Sequence, residues 1–114
     1  MEEFIYYNEL YDIYKPLLTI KQQQYFEEYY YNNLSLSEIS ENYDISRNAI
    51  SKQINVIRDK LKGYENKLNL HTKKEKIYKA LESTSDHAVA EIIKNIINPF
   101  FDFICIKPSF ILFL

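Results

Sequence analysis

Residues 34–54 read LSLSEISENYDISRNAISKQI, which is two short stretches with helical spacing of apolar residues, separated by a few turn residues. Ser35 and Glu38 form a capping-box pattern that predicts the start of a first, short helix. Ser46 is placed to cap a second helix directly after the turn at Asp44, and aspartate is one of the few residue types that accept a positive φ there. Two helices joined so closely are typical of a helix-turn-helix.

The second helix of this module is predicted to be long, with one buried seam. Its apolar residues repeat at spacings of 4, 3, 4, 3 and 4: Ile50, Ile54, Ile57, Leu61, Tyr64 and Leu68. Ile39 and Ile45 are expected to pack with Ile50 between the two helices and to set the angle between the helix axes. The pattern therefore predicts a helix-turn-helix domain over residues 1–70 with a long recognition helix.

Polar side chains occupy the face of the second helix opposite this seam, because successive residues are rotated by about 100° around a helix axis. The predicted nucleic-acid-binding set lies on or beside the first turns: Ser46, Arg47, Asn48, Ser51, Lys52 and Asn55. Such side chains can contact phosphates and base edges, and a helix N-terminus favours an anion. Any soluble helical hairpin also has a polar outer face, so nucleic-acid contact and simple solvation both remain open at this point.

Further cations along the same helix could touch a nucleic-acid backbone: Arg58, Lys60, Lys62 and Lys67. Asp59 lies on the outward face among them and would repel phosphate. We therefore expect that the contact between this helix and a nucleic-acid groove does not extend that far along the helix.

Two helices are predicted before the module. The first, at about residues 3–15, has one apolar face made of Phe4, Tyr7, Tyr11, Tyr14 and Leu18, and Pro16 should end it. Thr19 and Gln22 form a second capping-box pattern, which predicts a helix over about residues 20–31. This helix should have an aromatic face made of Phe26, Tyr29 and Tyr30, and Asn32-Asn33 should close it.

The C-terminal third is predicted to form a helical arm over residues 71–98. The lysine-rich residues 73–76 should lead into a short helix with Ile77, Ala80 and Leu81 inward. After a break at residues 83–86, a last amphipathic helix should end near Pro99, marked by Val89, Ile92, Ile93 and Ile96. With no comparable strand pattern, the predicted fold class is all-α.

Residues 99–114 form an apolar tail that the periodicity does not assign to any structure. Asp102, Lys107 and Pro108 interrupt it, so it is too short and broken to span a bilayer. The three alternatives are a strand-like tail buried against the protein or a second copy, a tail that touches a membrane surface, and a sequence accident. Burial is the favoured one, because an exposed apolar run would promote aggregation.

The charge is unevenly distributed, although the formal net charge is only −2. Residues 1–34 have a net charge of −4, residues 35–76 of +3 and residues 77–114 of −1. Counterion release depends on the few cations that reach phosphates, so a basic middle segment is compatible with nucleic-acid binding despite the acidic sum.

Several classes of function are disfavoured by composition. Cys105 is the only cysteine, so no internal disulfide can form and a cytoplasmic location is expected. The acidic N-terminus does not fit a secretory signal, and no apolar run is long enough for a membrane span. His71 and His87 are far apart in sequence without evident co-ligands, and no catalytic motif is present, so we predict no metal, no cofactor and no enzymatic activity.

The motifs taken together resemble known families. The pattern Leu17-Leu18-Thr19-x-Lys21-Gln22, Tyr29-Tyr30, Leu34-Ser35-Leu36-x-Glu38-Ile39-Ser40-Glu41 and Ile45-Ser46-Arg47-x-Ala49-Ile50 resembles the region-four helix-turn-helix of sigma factors, in the winged-helix-like superfamily. With the following Tyr64-Glu65-x-Lys67-Leu68, the chain is more closely similar to the YlxM family of small helix-turn-helix proteins. The similarity covers about residues 5–97, and the apolar tail is not part of it.

This resemblance implies an all-helical, often dimeric protein linked to the signal recognition particle (SRP) pathway, as a regulator or as an accessory to the particle's RNA and GTPase. Residues 46–52 would begin the recognition helix, and no catalytic residue is implied. Three hypotheses follow: a nucleic-acid-binding regulator whose ligand is DNA or SRP RNA, a dimeric transcriptional regulator reading half-sites about 34 Å apart, and a non-catalytic module that binds the SRP GTPase through the aromatic face of the first two helices.

Overall fold

The computed structural model describes the backbone of residues 2–104 and the side chains of residues 2–97. Over this range every regular element is helical, which confirms the all-α prediction. The elements are α1 Glu2–Tyr14, a 3-10 helix Lys15–Leu17, α2 Ile20–Tyr30, α3 Leu36–Tyr43, α4 Arg47–Leu68, α5 Leu70–Glu82 and α6 His87–Ile104. No helix in the described part of the chain combines the length and apolar content needed to cross a membrane.

Local capping determines where the first helices begin and end. The side chain and backbone of Thr19 exchange hydrogen bonds of 3.1 Å with Gln22, so the predicted capping box opens α2. The same reciprocal pair joins Ser35 to Glu38 at the start of α3. Asn33 has a φ of 54°, in the left-handed region, as the expected stop after α2 requires.

Helix α4 is the central element, in contact with α1, α2 and α3. Its predicted seam is confirmed over the first four positions, since Ile50, Ile54, Ile57 and Leu61 are all buried. The prediction is wrong at Leu68, which is 43% exposed. Glu65 takes the buried position near that end of the helix, because a cluster of hydrogen-bond donors surrounds its carboxylate.

The core is mostly aromatic on the side of α1 and α2. The predicted faces of both helices are buried or half-buried, and Leu10, Ile13 and Tyr25 are buried in addition. Phe26 is fully buried, and its ring stacks between those of Tyr11 and Tyr30 at centroid distances of 4.0 and 4.2 Å. The three stacked rings fasten α2 to α1 and bury a large apolar area.

Glu65 joins the end of α4 to the start of α5. Its carboxylate accepts hydrogen bonds from the Tyr14 hydroxyl at 2.6 Å, the His71 amide at 3.0 Å, and the Thr72 amide and hydroxyl at 3.1 and 2.8 Å. Asn69, the residue before α5, makes no side-chain cap, so Glu65 satisfies amides that the helix start leaves unpaired. Burial alone would raise the pKa of Glu65, but these hydrogen bonds hold it below its usual value.

The helical arm differs from its prediction at two points. The lysine-rich residues 73–76 lie inside α5 rather than before it. The expected break is present, and the Asp86 carboxylate accepts from the Val89 amide at 3.1 Å. Helix α6 continues through Pro99 to Ile104, although we predicted its end near that proline. Proline removes one hydrogen bond from a helix but has a helical φ, so it need not end one. The rest of the predicted tail, residues 105–114, lies outside the described residues.

The face on which α6 packs also differs from the prediction. Ala90 is buried and Ile97 packs against the core, whereas Val89, Ile92 and Ile96 are 47%, 59% and 66% exposed. Helix α6 is therefore apolar over more of its circumference than its contact with α1 covers.

Candidate nucleic-acid interface

Three residues, 44–46, connect α3 to α4. Asp44 has a φ of 53° in the left-handed region, as its place in the turn predicted. The Ile45 amide donates to the Ser40 carbonyl five residues earlier at 3.1 Å, which is a bond of the Schellman type. The Ser46 hydroxyl accepts from the Ala49 amide at 3.1 Å and so caps α4. The Asp44 amide donates to the Glu41 carbonyl at 3.4 Å, so each residue of the turn makes a hydrogen bond of its own.

The angle between α3 and α4 is set by isoleucines. Ile39 and Ile50 are fully buried between the helices, and Ile45 is half-buried against them. The small residues Ser40 and Ala49 are also half-buried, which allows the helices to approach closely. This packing turns the opposite side of the start of α4 toward solvent.

The six residues predicted to bind nucleic acid lie together at this end of α4. Ser46, Arg47, Asn48, Lys52 and Asn55 are exposed and Ser51 is half-exposed. The Ser46 hydroxyl is engaged in the cap, so the other five side chains define what we call the recognition patch: Arg47, Asn48, Ser51, Lys52 and Asn55. At a rise of 1.5 Å per residue the patch extends about 12 Å along the helix.

Acidic residues flank the recognition patch. Glu38 and Glu41 on α3 and Asp44 in the turn are all exposed. Residues 35–59 contain three cations against four acids, a formal charge of −1. The basic excess of the middle segment comes from residues 60–76, which contain six cations and two acids. The start of α4 is thus less basic than the segment as a whole.

The sequence suggested that Arg58 could contact a nucleic-acid backbone. In the structure its side chain is instead partly buried among tyrosines. Its Nε donates to the Tyr30 hydroxyl at 2.6 Å, and its guanidinium carbon lies 5.7 to 5.9 Å from the ring centroids of Tyr7, Tyr29 and Tyr30. Burial raises the pKa of Tyr30, although Arg58 acts in the opposite direction. Arg58 therefore serves the core through hydrogen-bond and cation–π contacts.

Two further lysines of α4 also have partners within the protein. Lys60 donates to the Gln22 side chain at 3.2 Å, and the Lys62 ammonium lies 5.4 Å from the ring centroid of Tyr7. Arg47 and Lys52, the cations in the first half of α4, are both exposed. These two are the ones best placed to meet a phosphate.

A second polar cluster was not predicted from the sequence. Glu9 on α1 converges with His71 and Glu75 on α5, and one ligand atom from each lies within 4.8 Å of the others. The spacing of His71 and Glu75 by four residues was a readable signal, since such residues share a helix face. Glu9 is 62 residues away from His71 in sequence, so only the packing of α1 on α5 reveals it.

Known proteins resemble this chain over most of its length. Residues 1–98 match the family described as UPF0122, "Putative helix-turn-helix protein, YlxM / p13 like". A UPF0122 protein of Caldanaerobacter subterraneus subsp. tengcongensis is 41% identical over 85 residues, which are 75% of this chain and 73% of the relative. One of Oceanobacillus iheyensis is 42% identical over 78% of this chain and 89% of its own length, and one of Ureaplasma parvum is 40% identical over 76% and 88%. No solved structure matches significantly.

Proposed function

Because this chain belongs to the UPF0122 family of YlxM/p13-like helix-turn-helix proteins, we propose that it is a non-catalytic, nucleic-acid-binding regulatory protein that uses the start of α4 as its recognition helix. The observation that supports this proposal is the exposure of Arg47, Asn48, Lys52 and Asn55 on one side of α4, beside a turn held by three separate interactions. A rigid turn keeps these side chains in position before the ligand arrives, which lowers the entropic cost of binding.

The side chains of the recognition patch suit two kinds of contact. Arg47 and Lys52 are long cations that can reach phosphates on either side of a groove, and the N-terminus of α4 adds a partial positive charge. Asn48 and Asn55 carry amides of the kind that pair with adenine edges. With two phosphate-directed cations, we expect a salt slope of only about −2 in a plot of log K against log salt.

Two ligands follow from the resemblance to the YlxM family and from the geometry. The RNA of the signal recognition particle is the first, and duplex DNA, whose major groove admits an α-helix, is the second. Acidic residues beside the patch favour a short, local contact over a long series of contacts between cations and phosphates. The proposed role is therefore a sequence- or shape-selective accessory in the SRP targeting pathway.

Arg47→Ala combined with Lys52→Ala tests this role. We expect the double variant to lose at least about tenfold in affinity for SRP RNA or for its preferred duplex, with the salt slope falling toward zero. Lys73→Ala combined with Lys76→Ala is the matched control, because it removes the same charge from exposed positions on α5. Fluorescence anisotropy at two salt concentrations measures both, and circular dichroism verifies that helicity is unchanged.

The other outcomes distinguish the remaining hypotheses. Equal affinity for unrelated duplexes would exclude a sequence-selective transcriptional regulator. If neither nucleic acid binds with a salt-dependent affinity, while the SRP GTPase binds wild type and the double variant equally, the chain is a protein-interaction module and the proposal is wrong.

The exposed apolar side of α6 favours a second element of function, self-association. We propose that Val89, Ile92 and Ile96 pack against the same residues of a second copy. These side chains follow one another along the helix at spacings of three and four, and an uncovered apolar stripe of this kind commonly marks an interface. A two-fold pairing would place two recognition helices in one particle, as half-site recognition requires.

Ile92→Glu combined with Ile96→Glu is expected to shift wild-type dimers to monomers, because each new carboxylate would be desolvated in the interface. Sedimentation equilibrium measures the shift, and Glu91→Gln, an exposed change on the same helix, is the control. A monomeric wild type at high concentration, or a double variant that still forms dimers, would exclude this interface.

A further inference from the structure

We propose that Glu9, His71 and Glu75 form a binding site for a divalent transition metal of the Zn²⁺ class, in the cleft between α1 and α5. Neither the fold nor the proposed recognition of nucleic acid requires this cluster. The three residues supply one imidazole nitrogen and two carboxylates, which are ligand types that Zn²⁺ accepts.

The distances between the candidate ligand atoms are close to those of a coordination sphere. The Nε2 atom of His71 lies 2.5 Å from a carboxylate oxygen of Glu9 and 3.7 Å from one of Glu75. Ligands about 2.1 Å from a tetrahedral metal lie roughly 3.4 Å from one another. Adjustments of about 1 Å would therefore admit the ion, and the two carboxylates can make them because their side chains are 46% and 67% exposed.

His71 is held in place before any metal binds. Its side chain is only 10% exposed, its ring meets the Tyr6 ring edge to face at 5.4 Å, and its backbone amide is bound by Glu65. A fixed imidazole at the base of the cleft and two movable carboxylates at its rim form a partly preorganised site. Preorganisation of this kind reduces the entropy lost on binding.

The convergence of two carboxylates on one nitrogen is the feature that points to a cation. A histidine needs only one carboxylate to satisfy Nε2, and bringing a second one close costs like-charge repulsion. A dication between the two carboxylates would remove that repulsion. The imidazole favours Zn²⁺ and its neighbours in the transition series over Mg²⁺ or Ca²⁺, which prefer oxygen ligands.

The cleft also leaves room for a fourth ligand. It has a volume of about 650 Å³ and is lined in addition by Asp12, Glu82 and lysines of α5. A water molecule can complete the tetrahedron, whereas the lysines Lys74, Lys76 and Lys79 oppose the ion's charge and limit its affinity. The metal would link α1, in the helix-turn-helix domain, to α5, in the arm, and so stabilise the docking of the arm.

Zn²⁺ titration of the chelator-treated full chain tests the site. We expect a saturable one-to-one isotherm by calorimetry, a rise in Tm with added Zn²⁺, and visible absorption typical of a tetrahedral site when Co²⁺ is substituted. Glu75→Gln and Glu9→Gln should each weaken Zn²⁺ binding at least about tenfold. Because both side chains are at the rim of the cleft, these variants should fold. Glu82→Gln, in the same cleft but outside the cluster, is the matched control.

Two results would overturn the proposal. The first is the absence of saturable Zn²⁺ binding to the wild-type chain, which would leave the contacts of His71 with the two carboxylates as the whole account of the cluster. The second is Zn²⁺ binding that Glu9→Gln and Glu75→Gln leave unchanged, which would place the metal elsewhere.

Discussion

Replacing Phe26 with alanine is expected to lower the free energy of unfolding by about 3–5 kcal/mol, the largest effect of any single substitution considered for this chain. Phe26 is fully buried, and its ring is stacked between two others. The change removes the apolar area of the ring and leaves a cavity, since Tyr11 and Tyr30 are each held by other contacts and cannot close it. Urea denaturation followed by circular dichroism measures the loss.

Ile20→Ala is the control for this prediction. Ile20 also lies in α2 but is 74% exposed, so its truncation should change stability by less than about 0.5 kcal/mol. Phe26→Leu should fall between the two because it keeps part of the buried area. Equal stabilities of the Phe26→Ala and Ile20→Ala variants would contradict the stacked arrangement.

Replacing Glu65 with glutamine is expected to cost about 2–3 kcal/mol at neutral pH. The carboxylate accepts four hydrogen bonds in a site where the residue is only 5% exposed. Glutamine has the same shape, but its NH₂ group would replace one of the two oxygens and face either the donors of Tyr14 and His71 or those of Thr72, which would lose their acceptor. Thermal and urea denaturation measure the change, with Glu41→Gln on α3 as an exposed control.

The same substitution has a defined pH dependence. The pKa of folded Glu65 lies below the usual value of 4.5, so the carboxylate stabilises the fold fully above that value. This contribution is lost as the pH falls through the folded-state pKa, because the proton must then bind to a carboxylate that is accepting hydrogen bonds. The difference in stability between wild type and Glu65→Gln should therefore shrink below pH 4.5. A difference that stays constant or grows in acid would contradict the proposed hydrogen bonds.

Several features of the fold could be predicted from sequence because neighbours along the chain determine them. The capping boxes at Thr19 and Ser35 involve side chains three residues from the amides that they bind. Asp44 lies in a turn whose positive φ only a few residue types accept. The isoleucine repeat of α4 predicts its buried face over four positions, and therefore the exposed recognition patch as well.

Other features depended on partners far away in sequence. Periodicity placed Arg58 on the surface of α4, but Tyr7 and Tyr30 come to it from α1 and α2. The same reasoning placed Leu68 in the buried seam and did not identify Glu65. Burial of Glu65 is favourable because of hydrogen-bond donors that come partly from α1, and periodicity within α4 does not reveal them. The apolar pattern of α6 predicted a helix, but Val89, Ile92 and Ile96, which marked its apolar face, lie away from the side that meets α1.

The sequence by itself determined helices α1 to α4, the caps at Thr19, Ser35 and Ser46, the turn between α3 and α4 and the outward direction of the recognition patch. The caps and the turn arise from interactions within a few residues, and the patch faces outward because the apolar seam of α4 is buried. Only the tertiary structure decided which charges remain available. Packing of α1 against α4 and α5 draws Arg58 into a group of tyrosines, buries Glu65 among donors and brings Glu9 to His71. Electrostatic energies depend on distance and burial, which helical periodicity does not specify for residues on different helices.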